Sequence, residues 1–155
     1  MVDIISMSKD IKMIDVSGKG VTVRTARAEG MIRMLPETAE AIRAGTVPKG
    51  DVLATARVAA ILAAKNTPQI LPLCHPIGLD HASVDFETGD DFVRVIVTTR
   101  VEAKTGVEME ALTGASAALL TIYDMCKMLD RAMTIEGVRL LEKTGGKTGD
   151  YKRDD

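Results

Sequence analysis

Residues 107–127 read VEMEALTGASAALLTIYDMCK, the longest segment of the chain with a helix-forming composition and no proline. Its charged side chains stand only at the two ends. Glu108 and Glu110 open the segment, Asp124 and Lys127 close it, and Tyr123 is the one ionisable residue between them. We therefore predict a long helix that joins two chemically distinct ends.

A helical wheel places two of these acids on one face. Successive residues of an α-helix are rotated by about 100°, so Glu110 and Asp124 differ by only about 40° in azimuth. Along the helix axis they are about 21 Å apart, at about 1.5 Å per residue. They therefore belong to different sites, or a symmetric partner brings Glu110 of one copy towards Asp124 of another. The plain alternative is a solvated helix start and end, since acids are favoured near a helix N-terminus.

The rest of the wheel predicts how this helix packs. The stripe between the two acids is small and weakly polar, which favours close approach of another helix or another subunit; it consists of Thr113, Gly114, Ala117 and Thr121. The opposite face is expected to point into the core, and it carries Leu112, Leu119, Tyr123 and Cys126.

The segments on either side predict an α+β fold. Alternating apolar and polar residues predict strands over residues 21–34, with a bulge at Gly30, and over residues 81–87, 92–101 and 133–143. Helical spacing predicts two more helices, over residues 36–45 and 52–65, the second capped by Asp51. Three prolines predict a non-helical loop over residues 69–79. This order matches a βαββαβ sandwich, with helices on one face of an antiparallel sheet.

Composition narrows the class of protein. A chain of 155 residues is expected to form one domain, with flexible arms at residues 1–14 and 144–155. Its 20 basic and 22 acidic residues are spread along the chain, which indicates neither a nucleic acid nor a membrane surface as partner. Its two cysteines form no disulfide framework. Neither a signal peptide nor an apolar run of about 20 residues is visible, so we expect a cytoplasmic protein.

Residues 71–78, LPLCHPIG, form a second unusual segment, in which two prolines bracket Cys74 and His75. This pattern favours a preorganised wall of a ligand pocket, with His75 as hydrogen-bond donor or proton carrier. A metal site would also recruit His81 and Cys126, but adjacent residues of an extended chain point apart, which disfavours it and also a Cys-His nucleophilic pair. A buried thiol with a structural imidazole remains the alternative.

Several cations stand beside glycine-rich loops and favour a phosphate-bearing ligand. Lys49 precedes the cap of the second helix, and Arg24 lies on the first strand. Lys127 follows Asp124 by one turn and could keep its carboxylate ionised or share a proton with it. Residues 145–149, GGKTG, resemble part of a P-loop. A P-loop requires a glycine six positions before its lysine, and this chain has Leu141 at that position. A glycine tail that folds over a bound phosphate remains open.

Five segments closely resemble the cyclic pyranopterin monophosphate synthases, the molybdenum cofactor biosynthesis protein C family. They are KGDVLATAR at 49–57, LPLCHP at 71–76, GVEMEAL at 106–112, LTIYDMCK at 120–127 and KTGGKTG at 143–149. The resemblance covers about residues 15–151. It implies a lyase that converts 3',8-cyclo-7,8-dihydroguanosine triphosphate, made by a radical SAM enzyme, to cyclic pyranopterin monophosphate with release of pyrophosphate. It also implies a ferredoxin-like fold and a homohexamer that is built from three dimers, with active sites at a subunit interface.

The resemblance also implies roles for individual residues. The catalytic positions that it implies are Asp124, Lys127 and Lys49. The substrate-binding positions are Leu73, Cys74, His75, Met109 and Glu110, with Arg24 on a phosphate. No metal or other cofactor is implied. The alternative from a different class is a non-catalytic purine-nucleotide-binding oligomeric module, which would have the same pocket and no turnover.

Overall fold

The computed structural model describes residues 10–155, so the arm predicted at residues 1–14 falls largely outside the described part of the chain. Nine elements follow one another: β1 (Thr22–Arg33), α1 (Pro36–Ala44), α2 (Val52–Lys65), α3 (Thr67–Ile70), β2 (His81–Thr88), β3 (Phe92–Ala103), α4 (Glu108–Cys126), β4 (Thr134–Thr144) and β5 (Tyr151–Lys152). All four predicted strands and all three predicted helices are present, within three residues of the expected boundaries. None of the helices in residues 10–155 is long and apolar enough to span a membrane.

The strands form one antiparallel sheet in the order β2-β3-β1-β4-β5. The first four strands have the order of a ferredoxin-like βαββαβ sandwich, which confirms the predicted fold. The predicted bulge is also present, because the pairing of β1 with β4 shifts register between Glu29 and Met31. Gly30 lies at this shift and faces α4, where a Cβ atom would come within 2.6 Å of Leu119.

The core lies between the sheet and its helices. Apolar residues on β1 oppose valines on β3, as in the pairs Ala28–Val97 and Ile32–Val93, and these side chains are fully buried. The helix α4 packs on this surface and also on α2. At the crossing with α2, a Cβ atom on Gly114 would lie 3.1 Å from the carbonyl oxygen of Ala60. Of the predicted small stripe of α4, Gly114 therefore receives another helix, and that helix belongs to the same chain.

The predicted core face of α4 was partly wrong. Leu119 and Cys126 are fully buried, but Leu112 and Tyr123 are only partly buried. The buried face is rotated by about a quarter turn towards Gly114, because α4 packs against α2 as well as the sheet. It carries Ala111, Gly114, Ala115, Ala118 and Ile122. Glu110 lies at its edge and is only 1% exposed.

Two short elements differ from the sequence prediction. Residues 69 and 70 belong to α3, a single helical turn inside the predicted non-helical loop. Pro68 stands in the first turn of α3, where proline is tolerated. In the tail, β5 pairs with β4 through Lys152 and Glu142, and Arg153 N–H donates to the carbonyl of Leu141 at 2.8 Å. Part of the segment 144–155 therefore belongs to the sheet.

Candidate active site

One group of predicted site residues meets at the C-terminal end of α4. Asp124 Oδ1 lies 3.0 Å from Lys127 Nζ, and its Oδ2 lies 3.3 Å from Lys49 Nζ. Lys49 also donates to the backbone carbonyl of Asp124 at 3.0 Å. The loop before α2 places Lys49 here, because the Asp51 side chain caps α2 by accepting from Ala54 N–H at 3.0 Å, as predicted. The structure thus assembles the three residues that the resemblance implied to be catalytic.

The two lysines fix the charge of Asp124. An acid at a helix C-terminus is disfavoured by the helix dipole, and the ammonium groups offset this effect. The hydrogen bond from Lys127 lowers the pKa of Asp124, and the hydrogen bond from Lys49 and the two positive charges lower it further. The Asp124 side chain is still 59% exposed. An ionised carboxylate between two ammonium groups is therefore open to a ligand.

The second group lies around a cavity of about 300 Å³ at the N-terminal end of α4. The Cys-His segment forms one wall, the start of α4 forms another, and residues 14–19 close the third. Leu73 and Met109 are exposed at this cavity, so their apolar side chains are available to a ligand. The lining residues are Ile14, Val16, Lys19, Leu73, Cys74, His75, Thr105, Gly106, Glu108 and Met109.

Glu110 lies buried behind this cavity. Its Oε1 accepts a hydrogen bond from the Cys74 thiol at 3.7 Å. Its Oε2 is buried and has no partner among the described residues. Burial raises the pKa of Glu110, and the negative charge of Glu108 raises it further, against the lowering by the Cys74 hydrogen bond. These effects mean that Glu110 keeps its proton to a higher pH than an exposed glutamate does.

The Cys74 thiol is a poor nucleophile in this environment. Burial and then the nearby Glu110 carboxylate raise the pKa of Cys74 to about 11, so the thiol form dominates near neutral pH. The neighbouring imidazole faces elsewhere, since His75 Nε2 lies 2.5 Å from the carbonyl oxygen of Ile14. Within residues 10–155, no group of three or more histidine, cysteine, aspartate or glutamate residues is placed to hold a metal ion.

A basic cavity of about 310 Å³ adjoins this one and shares Lys19 with it. Arg24 is fixed in its wall, because its Nε and Nη2 groups donate to the carbonyls of Ala103 and Lys104, both at 3.2 Å. Its Nη1 faces Gly146, where a Cβ atom would come within 2.3 Å. The lining residues are Lys19, Gly20, Thr22, Arg24, Gly146, Lys147 and Thr148. Three cations with glycine backbone suit a phosphate group.

Three charged residues of these cavities were absent from the predicted site. Lys19 enters both cavities because residues 15–19 turn back on themselves, and Asp15 accepts from Ser17 N–H at 2.8 Å in this turn. Such an aspartate turn beside glycines is the one sequence signal that could have indicated it. Lys147 stands in the rejected P-loop imitation. Glu108 at the start of α4 lines the first cavity, whereas the sequence also allowed a solvated helix start there.

A larger cavity lies away from all of these residues. It has a volume of about 490 Å³ and opens at Glu29 and Arg139, on the sheet face opposite α4. Glu29 already pairs with Arg139 at 2.8 Å and with Arg94. Because its charged side chains are paired with one another and none of the predicted site residues lines it, we do not assign the active site to this cavity.

Within one chain, α4 therefore separates two partial sites. The cavity lined by Cys74 and His75, with Arg24 beside it, lies at the N-terminal end of α4. Lys49, Asp124 and Lys127 lie at the C-terminal end of this helix. Fourteen residues of helix separate Glu110 from Asp124, which corresponds to about 21 Å. The predicted separation of the two acids is thus present in the fold.

Comparisons with known proteins confirm the family that the five sequence segments resemble. The family model described as "MoaC family" matches residues 13–146. Cyclic pyranopterin monophosphate synthase 3 of Mycobacterium tuberculosis (strain ATCC 25618 / H37Rv) is 52% identical over 145 residues, covering 93% of this chain and 82% of that protein. Cyclic pyranopterin monophosphate synthase of Novosphingobium aromaticivorans is 55% identical over 141 residues, covering 91% and 90%. That of Roseiflexus sp. is 52% identical over 145 residues, covering 92% of each chain. The chain belongs to the MoaC family.

Proposed function

We propose that the protein is a cyclic pyranopterin monophosphate synthase, a lyase of molybdenum cofactor biosynthesis. Its substrate is 3',8-cyclo-7,8-dihydroguanosine triphosphate, and its products are cyclic pyranopterin monophosphate and pyrophosphate. The observation that carries this proposal is the pair of adjoining cavities, one lined by Leu73, Cys74 and Met109 and the other by Arg24, with Lys19 between them. A ring system joined to a chain of phosphates has the matching distribution of polarity and charge.

The first cavity is the binding site for the ring system. Leu73 and Met109 provide apolar surface for a planar ring. Behind them, the buried carboxyl of Glu110 has one oxygen without a partner among the described residues. Cys74 holds the other oxygen of that carboxyl and remains protonated. His75 lines the same cavity.

The basic cavity binds the phosphates. Arg24 and the lysines Lys19 and Lys147 face the negative charge of the triphosphate and of the departing pyrophosphate. The glycine backbone of the tail allows close approach, and Gly146 is in the left-handed region with a φ of 88°. This arrangement supports a phosphate-covering role for the tail.

Asp124, Lys127 and Lys49 carry the proton transfers. Opening the purine ring and closing the pyranopterin ring require proton donors and acceptors near the reacting atoms. Asp124 is held in its ionised form and can accept a proton, and the adjacent ammonium groups can donate one. The three groups act as a coupled set, so their protons are shared rather than assigned to single residues.

The complete site is formed between two copies of the chain, in a homohexamer that is built from three dimers. Two observations support this proposal. The catalytic group and the ring cavity lie at opposite ends of α4, so one small substrate cannot touch both within one chain. Val58, Leu62 and Leu120 leave large apolar side chains exposed on α2 and α4, as expected for a surface that a second copy covers. The enzyme acts in the cytoplasm on the product of a radical SAM enzyme.

Turnover of the cyclised nucleotide tests the function. The purified protein is incubated with 3',8-cyclo-7,8-dihydroguanosine triphosphate, and the pterin and pyrophosphate are quantified separately. We expect both products in equimolar amounts, and we expect Asp124→Asn to retain nucleotide binding and to lose turnover. Binding of the nucleotide by the unchanged protein without release of pyrophosphate would instead establish the non-catalytic binding module.

A further inference from the structure

Residues 10–20 run along the rim of the ring cavity and contribute Ile14, Val16 and Lys19 to its lining. Apolar packing does not hold this segment in place. Ile11 is 85% exposed and Ile14 is 63% exposed, so the large side chains of the segment gain little from burial. Polar contacts with the body of the protein must therefore fix its position.

Two side chains from the body of the protein hold the backbone of this segment. His75 Nε2 lies 2.5 Å from the carbonyl oxygen of Ile14, and since a carbonyl only accepts, Nε2 carries the hydrogen. Lys104 Nζ donates to the carbonyl of Ser17 at 3.5 Å, a longer and weaker contact. The short bond from His75 is therefore the main attachment of the segment.

The same segment contains a turn that directs Lys19 inward. Asp15 Oδ1 accepts from the backbone N–H of Ser17 at 2.8 Å and from its hydroxyl at 2.6 Å. The N–H of Lys19 then donates to the carbonyl of Val16 at 3.0 Å. Because the turn is locally rigid, the anchor at Ile14 sets where Lys19 lies. Lys19 lines both the ring cavity and the basic cavity.

We propose that residues 10–20 form a strap that closes over the bound nucleotide, and that His75 is the positioning residue that latches it through the Ile14 carbonyl. The latched strap places Lys19 at the junction of ring and phosphates. The occupant of the closed cavity rests on the proposed function, whereas the latch itself is a contact within the protein. His75 acts through the strap as a hydrogen-bond donor, which is one of the two roles expected from the sequence; the other is a proton carrier.

Hydrogen exchange of the full chain tests the latch directly. Loss of one hydrogen bond of ordinary strength should speed the exchange of the amides in residues 10–20 about fivefold in His75→Phe. His75→Gln keeps an N–H donor at a similar reach and should restore the protection. His81→Phe is the matched control, since His81, the other histidine of the chain, lies on β2 outside the strap and the ring cavity. Unchanged exchange of residues 10–20 in His75→Phe, with native exchange in α4 showing that the variant folds, overturns the latch.

GTP, used as an unreacted nucleotide probe, tests the closure. Saturating GTP should slow the exchange of residues 10–20 in the unchanged protein and should do so less in His75→Phe. In turnover assays, His75→Phe should raise KM by about fivefold, more than it lowers kcat, and His75→Gln should recover KM. If Gln, which does not titrate, lowers kcat as severely as Phe, His75 is a proton carrier and the latch is wrong. Hydrogen exchange of the nucleotide-free protein requires no turnover. The latch can therefore be refuted while the proposed function holds, and the proposed function can be refuted while the latch holds.

Discussion

Lys49 Nζ lies 3.3 Å from Oδ2 of Asp124, although 75 positions separate the two residues in the chain. The same ammonium group donates to the Asp124 backbone carbonyl at 3.0 Å, so Lys49 also satisfies one of the unpaired carbonyls at the end of α4. Lys127 completes the arrangement from the next turn, at 3.0 Å. The end of α4 is therefore a structural cap and a candidate catalytic group at once.

The first prediction is that Lys127 lowers the pKa of Asp124 more than Lys49 does. The pKa of Asp124 is lowered first by the hydrogen bond from Lys127 and next by the one from Lys49. Lys127→Met should therefore raise this pKa more than Lys49→Met does, as measured by a carbon-detected NMR titration of the carboxyl group. A lowered acid pKa stabilises the fold above the ordinary aspartate pKa, and this contribution is lost as pH falls through the lowered value. A pKa that neither substitution moves would contradict the arrangement.

Glu110 has the opposite pH dependence. Burial raises its pKa, so the folded state holds the proton more tightly than the unfolded state does. The free energy of unfolding should then fall as pH rises from the ordinary glutamate pKa towards the raised value. Glu110→Gln removes this contribution, so the stability of the variant relative to the unchanged protein should increase as pH rises from the ordinary glutamate pKa towards the raised value. Thermal melts across that range measure the difference, and a constant difference would show that Glu110 is ionised in the folded protein.

Gly114 is needed for the contact between α4 and α2. A Cβ atom at this position would lie 3.1 Å from the Ala60 carbonyl oxygen and 3.3 Å from Val97 Cγ1. Gly114→Val should therefore cost about 1–3 kcal/mol of unfolding free energy by overpacking. The matched control is Gly78→Ala, because Gly78 has open space at its Cβ position. Urea unfolding measures both, and equal stabilities for the two variants would mean that the helices can separate without cost.

Much of the fold could be predicted because its signals are local. Strand alternation and the Asp51 cap are properties of short segments, and both correspond to elements of the structure. The strand β5 has only two residues and no periodicity, and it exists because β4 offers it an edge. The predicted core face of α4 was wrong by about a quarter turn, because its alanine and glycine residues are typical of an exposed or weakly polar face as much as of a buried one. Their burial depends on α2, which the wheel of a single helix does not include.

The site was predictable to a different degree at each residue. The motif resemblance indicated the positions in both groups, and the axial rise of a helix predicted that Glu110 and Asp124 are far apart. The contact of Lys49 with Asp124 depends on how α2 is placed against α4, which no local pattern specifies. Lys19 depends on a turn that directs it towards strands and loops much later in the chain. The orientation of the His75 side chain depends on residues 10–20, because its Nε2 donates to the carbonyl of Ile14.

The central claim is that the two ends of α4, taken from two copies of the chain, form one site. Asp124→Ala damages the catalytic end, and Glu110→Ala damages the ring cavity at the other end. Each variant alone should lack turnover while keeping native secondary structure and oligomer mass. Each hybrid dimer of the two variants contains one site in which both halves are intact.

Turnover of the cyclised nucleotide by an exchanged mixture of Asp124→Ala and Glu110→Ala chains is the most direct measurement. With random pairing, half of the dimers are hybrids with one intact site of two, so activity should return to about a quarter of that of the unchanged protein. Native mass spectrometry verifies that hybrid oligomers have formed. Activity that stays at the level of the single variants, in a mixture shown to contain hybrids, would place each site within one chain and contradict the account.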